Sequence, residues 1–350
     1  MRSEGDLPPE LTTFRFTRFR LQLKPRGTLY LPSYKGSTLR GGFGQVFRRI
    51  ACLGSDRGFG ECLLRERCPY HYIFETPPPA HSAVLDKVPT APQPFVLEPP
   101  LETKRVYQPG EELVFHLVLI GKAIDYLPYF IYAFDELGRV GLGRSKGTYT
   151  LELVSWLDPD GTAVPIYNGS RKVLTDSFRA LSLSLLSVSS SSLSPDSVSP
   201  SVSGPSLSQL SVSSLSVSSL SVSSLTRTRI MFENQLAADC EFHVLFRNLV
   251  RRIALLDYFH CSGEFPPERR EFVEQARVIE TVTSDLRWVD WERYSNRQQR
   301  RMRMGGFVGQ VTYRGNFTEF LPYLLLGTYT HVGKGATFGL GKYRIEGITS

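Results

Sequence analysis

The 350-residue sequence contains no apolar run that approaches the roughly 18–20 residues needed to cross a bilayer. Its opening segment, MRSEGDLPPELTTF, includes no apolar stretch that could form the core of a signal peptide. The five cysteines are odd in number and unevenly spaced, which argues against a framework of disulfides. These absences predict a cytoplasmic protein of a reducing compartment that does not enter the membrane.

Two catalytic signatures are missing as well. The Gly-Lys-Ser/Thr ending of a P-loop does not occur, which argues against a nucleotide-dependent kinase or ATPase. No pair of carboxylates appears at metal-ligand spacing, so a metal-dependent nuclease or a glycosidase has no support in the sequence.

Positive charge is concentrated rather than evenly spread. The chain has 41 Lys and Arg against 34 Asp and Glu, a net charge of +7. Residues 14–49 hold nine basic residues and no acid, and residues 287–303 hold six Arg against two acids. Because aromatic side chains alternate with these charges, the pattern favours a polyanion-binding surface, with nucleic acid as the first candidate. A solvated basic face is the alternative that composition leaves open.

Residues 181–225 differ from the rest of the chain. They contain 23 Ser in 45 residues, a single charge at Asp196 and three copies of Ser-Val-Ser-Ser-Leu between Ser211 and Leu225. A five-residue period matches neither a helix nor a strand, and small side chains bury little surface. The composition predicts a low-complexity linker, and deleting residues 181–225 is expected to be tolerated.

The hydrophobic pattern on both sides of this tract has the order β-α-β-β-α-β. We therefore predict an α+β fold of two tandem ferredoxin-like, or RRM-like, domains. The first covers residues 1–180 with a Cys- and Pro-rich insertion at 51–100, and the second covers residues 226–350. In both halves a glycine-rich loop, residues 138–147 and 331–342, lies between the second helix and the fourth strand.

The second glycine loop is the leading candidate for a binding site. Glycine lets the backbone approach a ligand closely, and successive N–H groups can hold phosphate oxygens. Lys334 and Lys342 add positive charge to the loop. The alternative to a binding site is a glycine-rich turn that is needed only for tight packing. The glycines concerned are Gly333, Gly335, Gly339 and Gly341.

RNA can be cleaved without a metal when its 2′-hydroxyl attacks the adjacent phosphate. A base must take the hydroxyl proton, an acid must protonate the 5′-oxygen, and a cation or N–H donors must stabilise the phosphate charge. Histidine suits the acid or base role because its pKa, about 6.5, lies near the working pH. Of the six histidines, only His331 lies on a glycine loop beside a lysine, so His331 is the predicted acid or base.

The insertion contains Cys52, Cys62, Cys68 and His71, four residues of the types that bind structural zinc. Their spacing lacks a Cys-x-x-Cys knuckle. We therefore predict that the protein binds no metal and that the cysteines are free residues in a loop. A zinc site on these four residues is the weaker alternative.

Several motifs are similar to those of the CRISPR repeat-processing endoribonucleases of the RAMP superfamily. In the C-terminal part these are WERYSNRQ (291–298), MGGFVG (304–309), HVGKG (331–335) and FGLG (338–341). In the N-terminal part LRGGFG (39–44), CPY (68–70) and FE (74–75) resemble the opening of the same group. The resemblance covers nearly the whole chain outside the serine tract.

The resemblance implies tandem ferredoxin-like domains, binding of the repeat segment of CRISPR precursor RNA, and no cofactor. It also implies metal-independent cleavage to 2′,3′-cyclic phosphate and 5′-hydroxyl ends. The glycine loop would contact RNA through its backbone, with Lys334 as the phosphate-stabilising cation. Some relatives carry a catalytic His in the first helix, which this chain lacks. Further RNA contacts are expected from Arg18, Arg20, Tyr34, Lys35, Arg40, Arg297, Arg300, Arg301, Arg303 and Lys342.

Two other functions remain open at this point. A non-catalytic RAMP subunit could hold guide RNA within a CRISPR effector complex, which is also a possible partner of the enzyme. The other alternative is a protein-interaction scaffold that acts through the serine-rich tract. The repeat sequence, the cleavage position and the oligomeric state are left undetermined by the sequence.

Overall fold

The structure is a computed structural model that describes residues 8–52, 62–76, 91–183, 192–193, 217–237, 239–262, 264, 269–295 and 300–349. Within these residues it contains two β-α-β-β-α-β units in tandem, as the hydrophobic pattern predicts.

The first unit builds an antiparallel sheet with strand order β3-β5-β1-β6-β7-β8. Its four central strands lie in the order β6-β1-β5-β3, which are the fourth, first, third and second main strands of the unit. This is the order of a ferredoxin-like sheet. The short strands β2 and β4 pair separately. The elements are α1 (Pro9–Thr13), β1 (Phe16–Pro25), β2 (Leu29–Tyr30), α2 (Gly36–Ala51), β3 (Phe95–Glu98), β4 (Val106–Tyr107), β5 (Leu113–Ile120), α3 (Leu127–Val140), β6 (Tyr149–Leu157), β7 (Ala163–Asn168) and β8 (Val173–Leu174).

Aromatic packing fixes which face of this sheet is covered. Phe43 of α2 stacks on Phe130 and Phe134 of α3, with ring centroids 5.0 and 4.7 Å apart. Phe95 on β3 and Phe115 on β5 turn toward the same helices. Because side chains alternate along a strand, the neighbours of these residues point to the opposite face. That face carries Arg18, Arg20, Glu98 and His116, which occupy matching positions on β1, β3 and β5.

The second unit repeats the arrangement, with strand order β13-β16-β10-β17-β9. The small strands β11 and β12 form one hairpin, and β14 and β15 form another. The elements are β9 (Ser192–Leu193), β10 (Ser219–Thr228), β11 (Met231–Phe232), β12 (Gln235–Leu236), α4 (Phe242–His260), α5 (Arg270–Gln275), β13 (Glu280–Val289), β14 (Glu292–Ser295), β15 (Arg300–Arg303), β16 (Gly306–Arg314), α6 (Leu321–Thr330) and β17 (Tyr343–Thr349).

Short helices of other types complete the chain. A π-helix covers His71–Glu75, and 3₁₀ segments are found at Arg65–Arg67, Gly121–Tyr126, Ala276–Val278 and Ala336–Phe338. The last of these lies inside the second glycine loop.

The predicted end of the serine-rich linker at Leu225 is wrong. Residues 219–225 belong to β10, which lies in the middle of the second sheet between β16 and β17. The last two repeat copies contain a local alternation that the five-residue period hides: Leu220 and Val222 are buried, while Ser221 bonds Thr312 across the sheet. Deleting residues 181–225 would therefore remove most of a central strand. The structure argues against the expectation that this deletion is tolerated. Residues 184–191 and 194–216 of the tract lie outside the described residues.

The two units pack against each other. The Phe16 ring of β1 lies 4.7 Å from the Tyr329 ring of α6. Thr13, the last residue of α1, donates a hydrogen bond of 2.9 Å to Asp257 of α4. His260, the last residue of α4, bonds Tyr72 Oη and the Pro92 carbonyl oxygen of the first unit at 2.9 and 2.8 Å. The junction therefore contains both apolar and polar contacts.

Candidate functional site

The second glycine loop runs beside the end of β10. Gly333, Gly335, Gly339 and Gly341 have φ of +79°, +85°, +81° and +73°, values that favour glycine. The loop is closed by the Val332 N–H, which donates to Gly341 O at 3.0 Å. It is tied to β10 and the residue after it by two further bonds, from Gly341 N–H to Arg227 O at 3.0 Å and from Lys334 N–H to Arg229 O at 2.8 Å.

The other side of this loop presses on the first unit. Tyr34, just before α2, donates a hydrogen bond of 2.7 Å from its Oη to Phe338 O. A Cβ on Gly339 would overlap the Pro99 ring and approach Leu97 O to 2.7 Å. A Cβ on Gly36, the first residue of α2, would overlap Phe338 O. The loop therefore forms part of the junction between the two units.

His331 begins the loop and is 0% exposed. Its Nδ1 lies 3.1 Å from Leu340 O, and its Nε2 lies 3.1 Å from Glu98 Oε1. Burial lowers the pKa of His331, although the Glu98 carboxylate opposes that shift. Both ring nitrogens are thus engaged inside the protein. This geometry does not fit direct proton exchange with an RNA substrate, and the predicted catalytic role gains no support from it.

Glu98 is the centre of a buried charge cluster that joins the two units. Arg18 Nε lies 2.8 Å from Glu98 Oε2, and Lys342 Nζ lies 3.4 Å from Glu98 Oε1. His116 Nδ1 is 4.0 Å from the same carboxylate. Burial by itself would raise the pKa of Glu98, but the charges of Arg18 and Lys342 and the His331 hydrogen bond outweigh it and hold that pKa well below its usual value. Glu98 is therefore a carboxylate that binds cations from both halves.

Four side chains predicted to contact RNA have polar groups that bond inside the protein. The Tyr34 hydroxyl donates to Phe338 O at 2.7 Å. Arg18 and Lys342 are buried against Glu98, and their predicted phosphate contacts do not fit this position. Lys35 is also buried, with its Nζ donating to Glu102 O at 2.9 Å. The sequence pattern missed this outcome because strand and helix periodicity does not show which basic side chain meets a buried acid from a distant segment.

Other predicted contacts lie closer to the surface. Arg20 is partly exposed on the same sheet face as Glu98. The Arg40 guanidinium lies 4.4 Å from the Phe74 ring centroid and 5.6 Å from that of Phe338. Arg303 is 92% exposed, and Lys334 is exposed on the glycine loop.

Arg300 and Arg301 pair through their backbone with Ser295 and Tyr294 in the β14–β15 hairpin. Arg297 lies outside the described residues. The predicted contacts of these three arginines with RNA stay predictions.

A group of cations lies where the glycine loop, β10 and the start of α2 meet. Arg227 lies between two rings, with its guanidinium carbon 5.4 Å from the Tyr34 centroid and 5.3 Å from the Trp291 centroid. Arg229 donates from Nη1 to Arg303 O at 3.2 Å. Burial lowers the pKa of both Arg227 and Arg229. Together with Lys334 and Arg303 they make a concentrated positive surface, which we call the junction cations.

Sequence reasoning missed Glu98, Arg227 and Arg229 as site residues. A signal for the two arginines was present in TRTR (226–229), where alternate positions place both on one strand face. Glu98 carried no such signal, because its partners come from residues 18, 331 and 342.

The zinc alternative is not supported by the described residues. Within the part of the chain that the structure describes, which includes Cys52, Cys62, Cys68 and His71, no three His, Cys, Asp or Glu side chains form a group that could hold a metal ion. His71 is buried, whereas the three cysteines are half-buried and free.

Among the described helices, none combines the length and apolar character required to cross a membrane.

Two family models match the chain. Residues 14–178 match the AF_1859_N family, described as an N-terminal domain, and residues 222–343 match the family described as CRISPR-associated endoribonuclease Cas6. An uncharacterized protein of Archaeoglobus fulgidus is 24% identical over 343 residues, which cover 94% of this chain and 99% of the relative.

Solved structures share the fold. A Thermus thermophilus Cas6 in a product complex superposes with a TM-score of 0.52 at 16% identity, covering 94% of this chain and 98% of that one. The Cas6-containing chain of a partial Cas6-RT-Cas1–Cas2 complex gives a TM-score of 0.54 at 14% identity, covering 97% of this chain and 47% of that one. These superpositions confirm the predicted fold. The family match confirms that residues 222–343 resemble a CRISPR-associated endoribonuclease.

Proposed function

We propose that this Cas6-type RAMP protein is a metal-independent endoribonuclease that binds and cleaves the repeat segment of CRISPR precursor RNA. The observation that supports the proposal most is the set of junction cations beside a backbone loop of four left-handed glycines. A half-buried positive surface beside this loop suits an RNA backbone that carries one charge per phosphate.

The proposed reaction is an internal transesterification. The 2′-oxygen attacks the adjacent phosphorus, the bond from phosphorus to the 5′-oxygen breaks, and the products are a 2′,3′-cyclic phosphate and a 5′-hydroxyl. The proton of the 2′-hydroxyl passes to water, and water returns one to the 5′-oxygen. The protein's part is to orient the strand and stabilise the charge that builds on the phosphate oxygens.

The role that we propose for His331 is positional. Its hydrogen bonds to Glu98 and Leu340 O hold the first residue of the loop, which has φ of +59°, against the first unit. Lys334 keeps its proposed role as a cation near the phosphate because its side chain is exposed on the same loop.

A non-catalytic RAMP subunit that holds guide RNA in a CRISPR effector complex is the second candidate. The burial of His331 favours it, since the histidine predicted to transfer protons does not face solvent. The junction cations serve both functions equally well.

The test is cleavage of an end-labelled CRISPR repeat RNA from the same genome, in excess EDTA. A second substrate carries one 2′-deoxy nucleotide at the observed cut. We expect cleavage that survives EDTA, stops with the deoxy substrate and leaves a terminus resistant to ligation until the cyclic phosphate is opened and the resulting phosphate is removed. Tight binding without cleavage would contradict the enzyme and favour the RNA-holding subunit.

A further inference from the structure

Arg227 is held in place more firmly than an ordinary surface arginine. Its backbone carbonyl accepts the Gly341 N–H at 3.0 Å, so its Cα is tied to the glycine loop. Its guanidinium lies against Tyr34 from the first unit and Trp291 from the second, whose rings meet edge to face at 5.1 Å and 74°. Arginine stacks well on aromatic faces, and such contacts restrict its rotamers.

The clamp around Arg227 is itself anchored. Tyr34 Oη donates to Phe338 O at 2.7 Å, and Trp291 O accepts the Met304 N–H at 2.7 Å. Burial raises the pKa of Tyr34, so its hydroxyl stays protonated and committed to that carbonyl. Tyr34 is therefore suited to position Arg227 rather than to act as a base.

The hydrogen-bonding capacity of Arg227 is unused. A guanidinium has five N–H donors, and in the described part of the chain no hydrogen bond or ion pair satisfies those of Arg227, including the buried Nε. Arg18 differs, because its Nε donates to Glu98. A half-buried cation with open donors is costly unless an anion completes the site.

We propose that Arg227 is a catalytic residue that donates hydrogen bonds to the non-bridging oxygens of the scissile phosphate. This inference rests on the proposed endoribonuclease function. The planar donor fork matches two phosphate oxygens, and a donor fixed before the reaction stabilises developing charge without reorganising. Attack by the 2′-oxygen and departure of the 5′-oxygen proceed as described above, and Arg227 neither gains nor loses a proton.

The test compares Arg227→Gln and Arg227→Lys with Arg144→Gln, which changes an exposed arginine of the first glycine loop. Single-turnover cleavage, RNA affinity and the thermal unfolding midpoint are measured for each variant. We expect Arg227→Gln to slow cleavage by roughly 10²–10³-fold, as loss of one preorganised donor does elsewhere, with less than about 10-fold loss of affinity. Arg227→Lys should recover only part of the rate, because lysine keeps the charge but not the stacked fork. Arg144→Gln should cut at the wild-type rate.

Phosphorothioate substrates give a readout that a structural role would not move. Sulfur is placed at either non-bridging oxygen of the scissile phosphate. We expect wild-type protein to cut the two diastereomers at different rates and the Arg227 variants to lose that difference. An Arg227→Gln variant that cuts normally, that loses affinity alone, or that keeps the wild-type sulfur preference would overturn the assignment while leaving the ribonuclease intact. A wild-type protein that binds RNA without cutting would overturn both proposals.

Discussion

The two glycine-rich loops occupy equivalent places in the two units but differ in what they contact. Residues 138–147 close on themselves, with hydrogen bonds in both directions between Leu142 and Gly147 at 2.8 and 3.1 Å. Gly143 and Gly147 face the residues around β2 of the same unit. Residues 331–342 instead lie between the units, with contacts to Tyr34, Glu98 and Pro99 on one side and to β10 on the other.

The difference shows that a repeated position need not carry a repeated role. Both loops are required by the fold because each joins the second helix to the fourth strand of its unit. Only the second is built into a junction, where its backbone conformation and its buried charges depend on the other unit. Variants of the two loops should therefore differ in predictable ways.

The largest difference should come from the charge cluster. Glu98→Ala leaves Arg18, Lys342 and His331 buried without their shared carboxylate, and breaking a buried ion pair costs about 3–5 kcal/mol. Chemical denaturation measures the loss. The control is Glu111→Ala, which removes an exposed partner of Lys104 and should leave the free energy of unfolding nearly unchanged. Equal losses in the two variants would contradict the central place of Glu98.

Matched glycine substitutions test the loops directly. Gly339 and Gly143 have similar φ, +81° and +77°, so Ala carries the same backbone strain at both. At Gly339 the added methyl also meets Pro99 and Leu97 O, whereas at Gly143 its nearest neighbour, Tyr30 O, lies at 3.0 Å. We expect a loss of about 2–4 kcal/mol for Gly339→Ala and about 1–2 kcal/mol for Gly143→Ala. A larger loss of stability for Gly143→Ala in denaturant titrations would show that the residues around Gly339 rearrange easily to accept the added methyl group.

Acid should loosen the junction before it affects the first loop. Burial lowers the pKa of His260 to about 4, with the Pro92 hydrogen bond opposing, so His260 is neutral between the two units. An opened or unfolded state, with a pKa of about 6.5, binds a proton that the folded state does not, and stability is therefore lost as pH falls below that value. From pH 6.5 to pH 5 the loss is about 2 kcal/mol.

Amide hydrogen exchange at pH 7 and pH 5 measures this effect. The Val332 and Gly341 amides of the second loop should lose protection, while the Leu142 and Gly147 amides of the first should keep it. A His260→Gln variant should show a smaller pH dependence. An unchanged dependence in that variant would assign the acid effect to another group.

The smallest difference concerns two exposed lysines, one in each loop. Lys334→Gln should weaken RNA binding a few-fold and lower the slope of log affinity against log salt by about 1, as expected for one phosphate contact. Lys146→Gln in the first loop should change neither. Binding assays across a salt series measure both, and equal effects would mean that the two loops share the RNA surface.

Much of the fold follows from local patterns. The helices α2, α3 and α4 repeat apolar side chains with helical spacing, and β1 and β16 alternate, so the element order could be predicted within each half. The serine tract could not be divided correctly, because repeat composition obscured the alternation of Leu220 and Val222 with Ser221 and Ser223. What makes residues 219–225 a strand is the presence of β16 and β17 on either side, which supply hydrogen bonds and a buried face.

The candidate site was predicted in part. The glycine loop and exposed Lys334 came from residue type and spacing, which are local properties. The burial of His331, Arg18, Lys35 and Lys342 did not, because each side chain meets partners far away in the chain. Arg227 shows the reverse: an unremarkable strand arginine becomes a candidate catalytic group only once Tyr34 and Trp291 surround it.

The sequence by itself determined the two β-α-β-β-α-β units, the two glycine loops and the excess of positive charge, because periodicity, glycine content and charge are local and additive. The tertiary structure alone decided which loop enters the junction and which cations are neutralised by Glu98. It also decided which cations keep open donors. Those outcomes depend on the distance and burial of groups from separate segments, and the free energy of a charge is set by those surroundings.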